Sequence, residues 1–173
     1  MITGYATPEG TKKFAERQNQ DSHKNYKNVH NLTLSNVGIG TYLGNPDTET
    51  DYIVQDAIKK SILGGINVID SAINYRAQKA ERSVGNAISQ LIDNDDISRE
   101  EIFVSTKNGY VTNDGDIKED LMQYVMREYG KTGIVKEGDI SPGYHCMTIP
   151  YLNDQLERSL KNLGMDCIDL MYL

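Results

Sequence analysis

One stretch, residues 65–107, limits the folds open to this chain more than any other. It begins Gly-Ile-Asn-Val-Ile-Asp-Ser-Ala-Ile-Asn-Tyr, continues through a helical pattern, and ends Ile-Phe-Val-Ser-Thr-Lys-Asn-Gly. Its two apolar runs, 66–69 and 102–104, are short and rich in β-branched residues, and each is followed at once by a polar or ionisable side chain. Runs of that kind read as strands buried on both faces. With a helix between them they make a β-α-β unit, so the strands are expected to be parallel. Asp70 and Lys107 then stand at the carboxyl ends of neighbouring strands, with Tyr75 on the loop after the first. In α/β folds that edge of the sheet is where chemistry sits.

The flanking sequence extends the alternation. Residues 37–42 read as an earlier strand, in which Gly38 and Gly40 allow close approach of another backbone or a ligand. A helix follows the loop 45–51. Thr48 and Asp51 have capping-box spacing, and Thr50 is an equally good cap. Ile53, Val54, Ala57, Ile58 and Ile62 share one face of this helix, and Gly64-Gly65 ends it. The helix 79–93 buries Ala80, Val84, Ala87, Ile88, Leu91 and Ile92, with Glu81 near its start, where the dipole favours a negative charge. Residues 93–101 read as a solvated acidic connector. The helix 149–163 is capped by Thr148, carries Pro150 in its first turn and stops at Gly164. Residues 167–173 read as a fourth strand.

Three regions have weaker patterns. Residues 1–28 are polar, with Phe14 and Ala15 almost the only apolar positions of a short helix within 11–20, so a loosely packed extension is expected. Residues 29–35 alternate as a short hairpin at the base of the sheet. Residues 108–148 form a long connection with a helix inside 117–129. They leave the edge that carries Lys107, so they are placed to cover a substrate. His145, within that connection, reads as exposed or as a backbone partner.

The 173 residues suit one domain. A net charge of −7 argues against a nucleic-acid partner, which wants a basic face. The two cysteines, Cys146 and Cys167, read as reduced thiols, one in a loop and one in a strand. No apolar stretch has membrane length, and the first residues lack the layout of a signal peptide. A cytoplasmic protein with no membrane partner is the expectation. No metal site is expected.

Tyr75, Lys107 and Asp70 form a chemically sensible set. A free phenol is a poor proton donor at neutral pH. An ammonium about 4 Å from a phenol, at an effective dielectric of 20, favours the phenolate by roughly 4 kcal/mol. That brings a phenol towards the range where a general acid works best. Asp70 would keep Lys107 charged and oriented. Spacing alone equally allows a structural ion pair beside an unrelated tyrosine.

These motifs resemble those of the aldo-keto reductases, NADP-dependent enzymes built on a (β/α)8 barrel. The resemblance rests on Gly-Ile-Asn-Val-Ile-Asp-Ser-Ala-x-x-Tyr, on Val-Ser-Thr-Lys, on Ile-Gly-Thr-Tyr at 39–42, and on the run 155–173. It covers roughly residues 32–173 and implies an α/β fold: the amino-terminal half of a (β/α)8 TIM barrel, about four parallel strands with flanking helices. On this reading residues 1–28 are an extension and 29–173 an incomplete barrel domain. The resemblance implies hydride transfer between NADPH and an aldehyde or ketone, a small-molecule carbonyl substrate. It places Tyr75 as proton donor with Asp70 and Lys107 as its catalytic partners, and Gly40, Thr41, Tyr42 and Asp70 at the cofactor. Ser71 stands where threonine is commoner in the family. The family's histidine should follow strand four, and its 2′-phosphate site lies in the second half of the barrel. The 173-residue chain is therefore expected to be a truncated and inactive portion. Two alternatives are a non-catalytic regulatory protein and a half-barrel that self-associates through open sheet edges.

Overall fold

The computed structural model describes residues 1–18 and 24–173. The chain opens with α1 (Pro8–Glu16), whose cap is the Thr7 side chain accepting from the Gly10 N–H. The expected loose extension is instead part of the core. Phe14 and Ala15 pack into the main hydrophobic cluster, and Thr11 is fully buried. The Thr11 hydroxyl donates to Thr7 O and accepts from Thr33 N. Small residues explain how so few apolar ones suffice. A Cβ on Gly10 would lie 2.4 Å from Glu100 O, so the helix meets its neighbour backbone to backbone. Positions 19 and 20 of the expected helix lie outside the described residues.

A hairpin follows, β1 (Tyr26–Val29) with β2 (Leu32–Ser35), starting three residues earlier than the alternation suggested. His30 and Asn31 take the left-handed conformations of a two-residue turn. Asn67, just before the strand that ends in Asp70, ties the hairpin down: its side chain accepts from Ser35 N and donates to Thr33 O. The hairpin thus closes the amino end of the sheet, opposite the edge that carries Asp70.

The main sheet is β3 (Ile39–Gly40), β4 (Val68–Asp70), β5 (Phe103–Lys107) and β6 (Leu170–Tyr172), all parallel and adjacent in chain order. β3, β4 and β6 are shorter than the segments 37–42, 66–70 and 167–173 read as strands, because hydrogen-bond register trims the ends. Cys167 accordingly lies before β6 rather than within it. Gly40 pairs with Asp70, Asp70 with Ser105, and Lys107 with Tyr172, so the chemistry-bearing residues share one end. Among the described residues the sheet is open at β3 and β6 and does not close into a barrel.

Helices α2 (Thr48–Leu63), α3 (Lys79–Asp93), α4 (Leu121–Val125) and α5 (Ile149–Leu163) flank the strands. The cap of α2 is neither Thr48 nor Thr50 but Asp47, whose carboxylate accepts from Thr50 N at 2.8 Å. Helices α3 and α5 touch where Gly85 leaves no room for a side chain: a Cβ there would lie 2.3 Å from Leu163 O. The connector at 93–101 is solvated over residues 93–96, as expected, but its far end is not. It ends in a 3-10 turn, Arg99–Glu101, with Ile97, Arg99 and Glu101 buried. Arg99 pairs with Asp169 and Glu101 with Arg17. Arg99 and Glu101 are inside because their partners are remote in sequence, while Asp93, Asp95, Asp96 and Glu100 stay exposed.

The long connection is ordered around its own apolar cluster. Helix α4 runs into a wider turn, Met126–Gly130. Val111, Tyr124, Val125, Tyr129, Val135 and Cys146 pack there against Tyr151 of α5. Burial pushes the phenols of Tyr129 and Tyr151 well above the ordinary tyrosine value.

Candidate active site

Asp70 ends β4 and Lys107 ends β5, so the parallel register sets their side chains next to each other. The Lys107 ammonium donates to Asp70 Oδ2 at 2.6 Å and to Ser71 O at 2.8 Å. It also stands 4.6 Å from the centre of the Tyr75 ring. The three residues named from spacing are therefore brought together. The Asp70 and Lys107 side chains are 39% and 34% exposed, so the pair faces a wet opening rather than the core. Burial pulls the Lys107 ammonium down, but the Asp70 carboxylate and the Tyr75 hydroxyl outweigh it and hold the lysine above its usual value. Lys107 is thus a fixed positive charge beside a phenol.

Tyr75 is presented by the tight turn after β4, where its N–H donates to Ala72 O and its carbonyl accepts from Ala80 N. Its ring meets Tyr42 edge-on, with centroids 5.0 Å apart and planes at 72°. Tyr42 is 65% exposed and lines the same opening. Gly40 is exposed, and a Cβ there would meet nothing within 4 Å. Thr41 differs from its neighbours. It is buried, and its hydroxyl is committed to Asp70 O at 3.1 Å and Ser71 Oγ at 3.0 Å, so it braces β3 against β4.

Sequence reasoning missed several supporting groups. Ser105 Oγ donates to Asp70 Oδ1 at 3.0 Å, which steadies the carboxylate that holds Lys107. Its place directly across from Asp70 in the strand register is the only signal that could have found it. Glu81 sits in the first turn of α3, where the dipole favours its charge, as expected; its burial was not foreseen. It is fully buried and accepts from Thr106 Oγ1 at 2.7 Å and Asn162 Nδ2 at 2.9 Å. Burial pushes its carboxyl up, against the pull of Asn162 and Thr106. It clamps β5, one residue before Lys107, to α3 and α5. His145 is exposed, contacts Gly143 O through Nδ1 and packs against Tyr110. Among the described residues no group of three or more His, Cys, Asp or Glu could hold a metal, and no helix is long and apolar enough to cross a membrane.

Comparison with known proteins places this geometry. Residues 36–173 match the model of the Aldo/keto reductase family. The NADH-specific methylglyoxal reductase of Escherichia coli K12 is 31% identical over 144 residues, 80% of this chain and 37% of that protein. Aldose reductase B of Dictyostelium discoideum is 31% identical over 90 residues, 52% of this chain and 26% of that one. An aldo/keto reductase from Klebsiella pneumoniae, solved with NADP and acetate, aligns with a TM-score of 0.50 at 20% identity, over 82% of this chain and 36% of that one. An aldo-keto reductase from Bacillus halodurans in its holo form aligns with a TM-score of 0.52 at 23% identity, over 84% and 38%. These structures share the fold, and this chain spans about a third of the length of the curated relatives it matches. The family match takes in all four parallel strands together with Asp70, Tyr75 and Lys107, and the chain belongs to the aldo/keto reductase family.

Proposed function

We propose that the protein reduces an aldehyde or ketone with a nicotinamide cofactor, and that Tyr75 donates the proton. The observation that carries this is Lys107 held between Asp70 and Tyr75. As the carbonyl oxygen gains electrons, the Tyr75 hydroxyl gives it a proton, and the phenolate left behind lies beside a fixed ammonium. The charge that develops is met by a group already in place. Asp70, steadied by Ser105, keeps that ammonium aimed.

NADPH supplies the hydride when bound. The residues present fit its reactive end. Gly40 leaves open space at the strand end, with Tyr42 exposed two residues on and Asp70 across from Gly40 in the strand register. These would hold the nicotinamide, while Thr41 acts from beneath as a brace. Relatives cover both cofactor forms, since the Escherichia coli protein is named NADH-specific and the Klebsiella structure holds NADP. Assays with both nucleotides and an aldehyde such as 4-nitrobenzaldehyde test the reading. Carbonyl-dependent oxidation of neither nucleotide by the full-length protein would sink it.

A polypeptide restricted to these 173 residues is expected to show no such turnover. Its site lies open to water, and the low-dielectric enclosure that makes fixed charges effective is missing. Steady NADPH consumption by that polypeptide would refute this. A second reading is self-association of the same polypeptide. Among the described residues β3 and β6 are unpaired on their outer sides, and Leu43, Ile53, Tyr172 and Leu173 are exposed beside them. Sedimentation velocity is expected to show a dimer, and a monodisperse monomer would rule that out.

A further inference from the structure

We infer that the turn directly after Tyr75 is a positioning device held by Arg76 and Gln78, an inference that rests on Tyr75 being the proton donor. Arg76, Ala77 and Gln78 have φ of 52°, 52° and 73°. Residues with a side chain enter that left-handed region uncommonly and singly. A run of three persists only where the surroundings over-determine it.

The surroundings do so from two sides. The Arg76 side chain is fully buried and donates to Asn45 O at 3.0 Å, Asp47 O at 3.4 Å and Ser83 Oγ at 3.4 Å, and it pairs with Asp51. Asn45, Asp47 and Asp51 belong to the segment that begins with Tyr42 and becomes α2. Gln78 is 2% exposed; its amide donates to Asn113 O at 3.1 Å and to the Tyr124 hydroxyl at 3.2 Å, and its carbonyl accepts from Asn162. Ala77 O accepts from Gly115 N at 2.9 Å. Asn113, Gly115 and Tyr124 belong to the connection that leaves β5 after Lys107. One turn therefore fastens both loops that flank the site.

Glycine at these positions would adopt the turn without strain but could not make these ties. The side chains are kept for their reach. Arg76 links the Tyr42 loop to Tyr75, and Gln78 links the Lys107 loop to Tyr75. Since Tyr75 follows the backbone of this turn, a shift of the turn moves its hydroxyl relative to Lys107.

The test compares Arg76→Met and Arg76→Lys with wild type in the full-length protein. Lysine keeps the charge but loses the planar fork that reaches several acceptors at once. Three quantities are read: kcat and KM, the thermal midpoint, and the ring-to-ring NOE between Tyr42 and Tyr75 in tyrosine-labelled protein. The Tyr75 signals are assigned by their loss in Tyr75→Phe. Arg76→Met is expected to lower kcat roughly ten- to hundredfold, leave KM for the nucleotide unchanged, and weaken the NOE. Arg76→Lys is expected to fall between. A lower midpoint with kcat and NOE unchanged in folded variants means a merely structural tie and overturns the inference. If Arg76→Met does not fold, Arg76→Lys decides by the same criteria. Wild-type protein that reduces no carbonyl sinks the proton-donor reading; normal turnover in both folded variants sinks the positioning role alone.

Discussion

Replacing Tyr75 with phenylalanine in the full-length protein is expected to lower kcat for aldehyde reduction by roughly 100- to 10,000-fold, the usual range for a positioned general acid. The loss falls on chemistry because only the hydroxyl is removed. The edge-on contact with Tyr42 and the stacking of the Lys107 ammonium both use the ring, which phenylalanine keeps. Asp70 and Lys107 remain paired through their own 2.6 Å bond. Cofactor affinity is therefore expected to be unchanged, as measured by titrating NADPH fluorescence. Steady-state kinetics decide the matter: a Tyr75→Phe protein with wild-type kcat removes Tyr75 from the reaction.

The largest effect on stability is expected from Asp169→Ala. Asp169 sits just before β6 and is buried against Arg99, with side chains 4% and 2% exposed. Its carboxylate accepts from Arg99 Nη2, Val104 N and Ala6 N, each at 2.7 Å. Arg99 in turn donates to Ile102 O and Cys167 O. Truncating the aspartate leaves a guanidinium buried without a counter-charge and two backbone donors without acceptors. Removing one partner of such a pair costs about 3–5 kcal/mol. In a chain of this size that lowers the thermal midpoint by roughly 6–20 °C. Urea unfolding checks it, and a loss below about 1 kcal/mol, the value of an exposed pair, would mean that water reaches the site.

What could be read from the sequence follows from how local each signal is. The helices Lys79–Asp93 and Ile149–Leu163 have the expected bounds, because their apolar stripes and stops lie within the segments themselves. Asp70 and Lys107 were legible as strand-end residues, since two short apolar runs and a helix leave them little choice of place. Apart from the cap of α2, whose partner is only three residues away, the main misses depend on partners far along the chain. Phe14 and Ala15 look like stray apolar residues until the neighbouring backbone comes close enough to bury them. Arg99 and Glu101 look like surface charges, but their partners lie 70 and 84 residues away. Arg76 reads as an ordinary arginine before a helix, and no local pattern announces a buried fork or a left-handed backbone. Thr41 was grouped with its neighbours at the cofactor, and only the pairing of β3 with β4 directs its hydroxyl inward.

The separate apolar cluster of the long connection has a dynamic consequence. Its tyrosines and valines pack mainly on one another and on Tyr151, while the strands rest on a different cluster. Two such clusters make two cooperative units, and the smaller can open while the amides of β4 and β5 stay protected from exchange. Tyr124 belongs to the smaller unit and accepts a hydrogen bond from Gln78. Each opening therefore breaks a tie to the turn that presents Tyr75. The breathing of a segment some fifty residues along the chain is thereby felt at the proton donor, with no movement of the sheet.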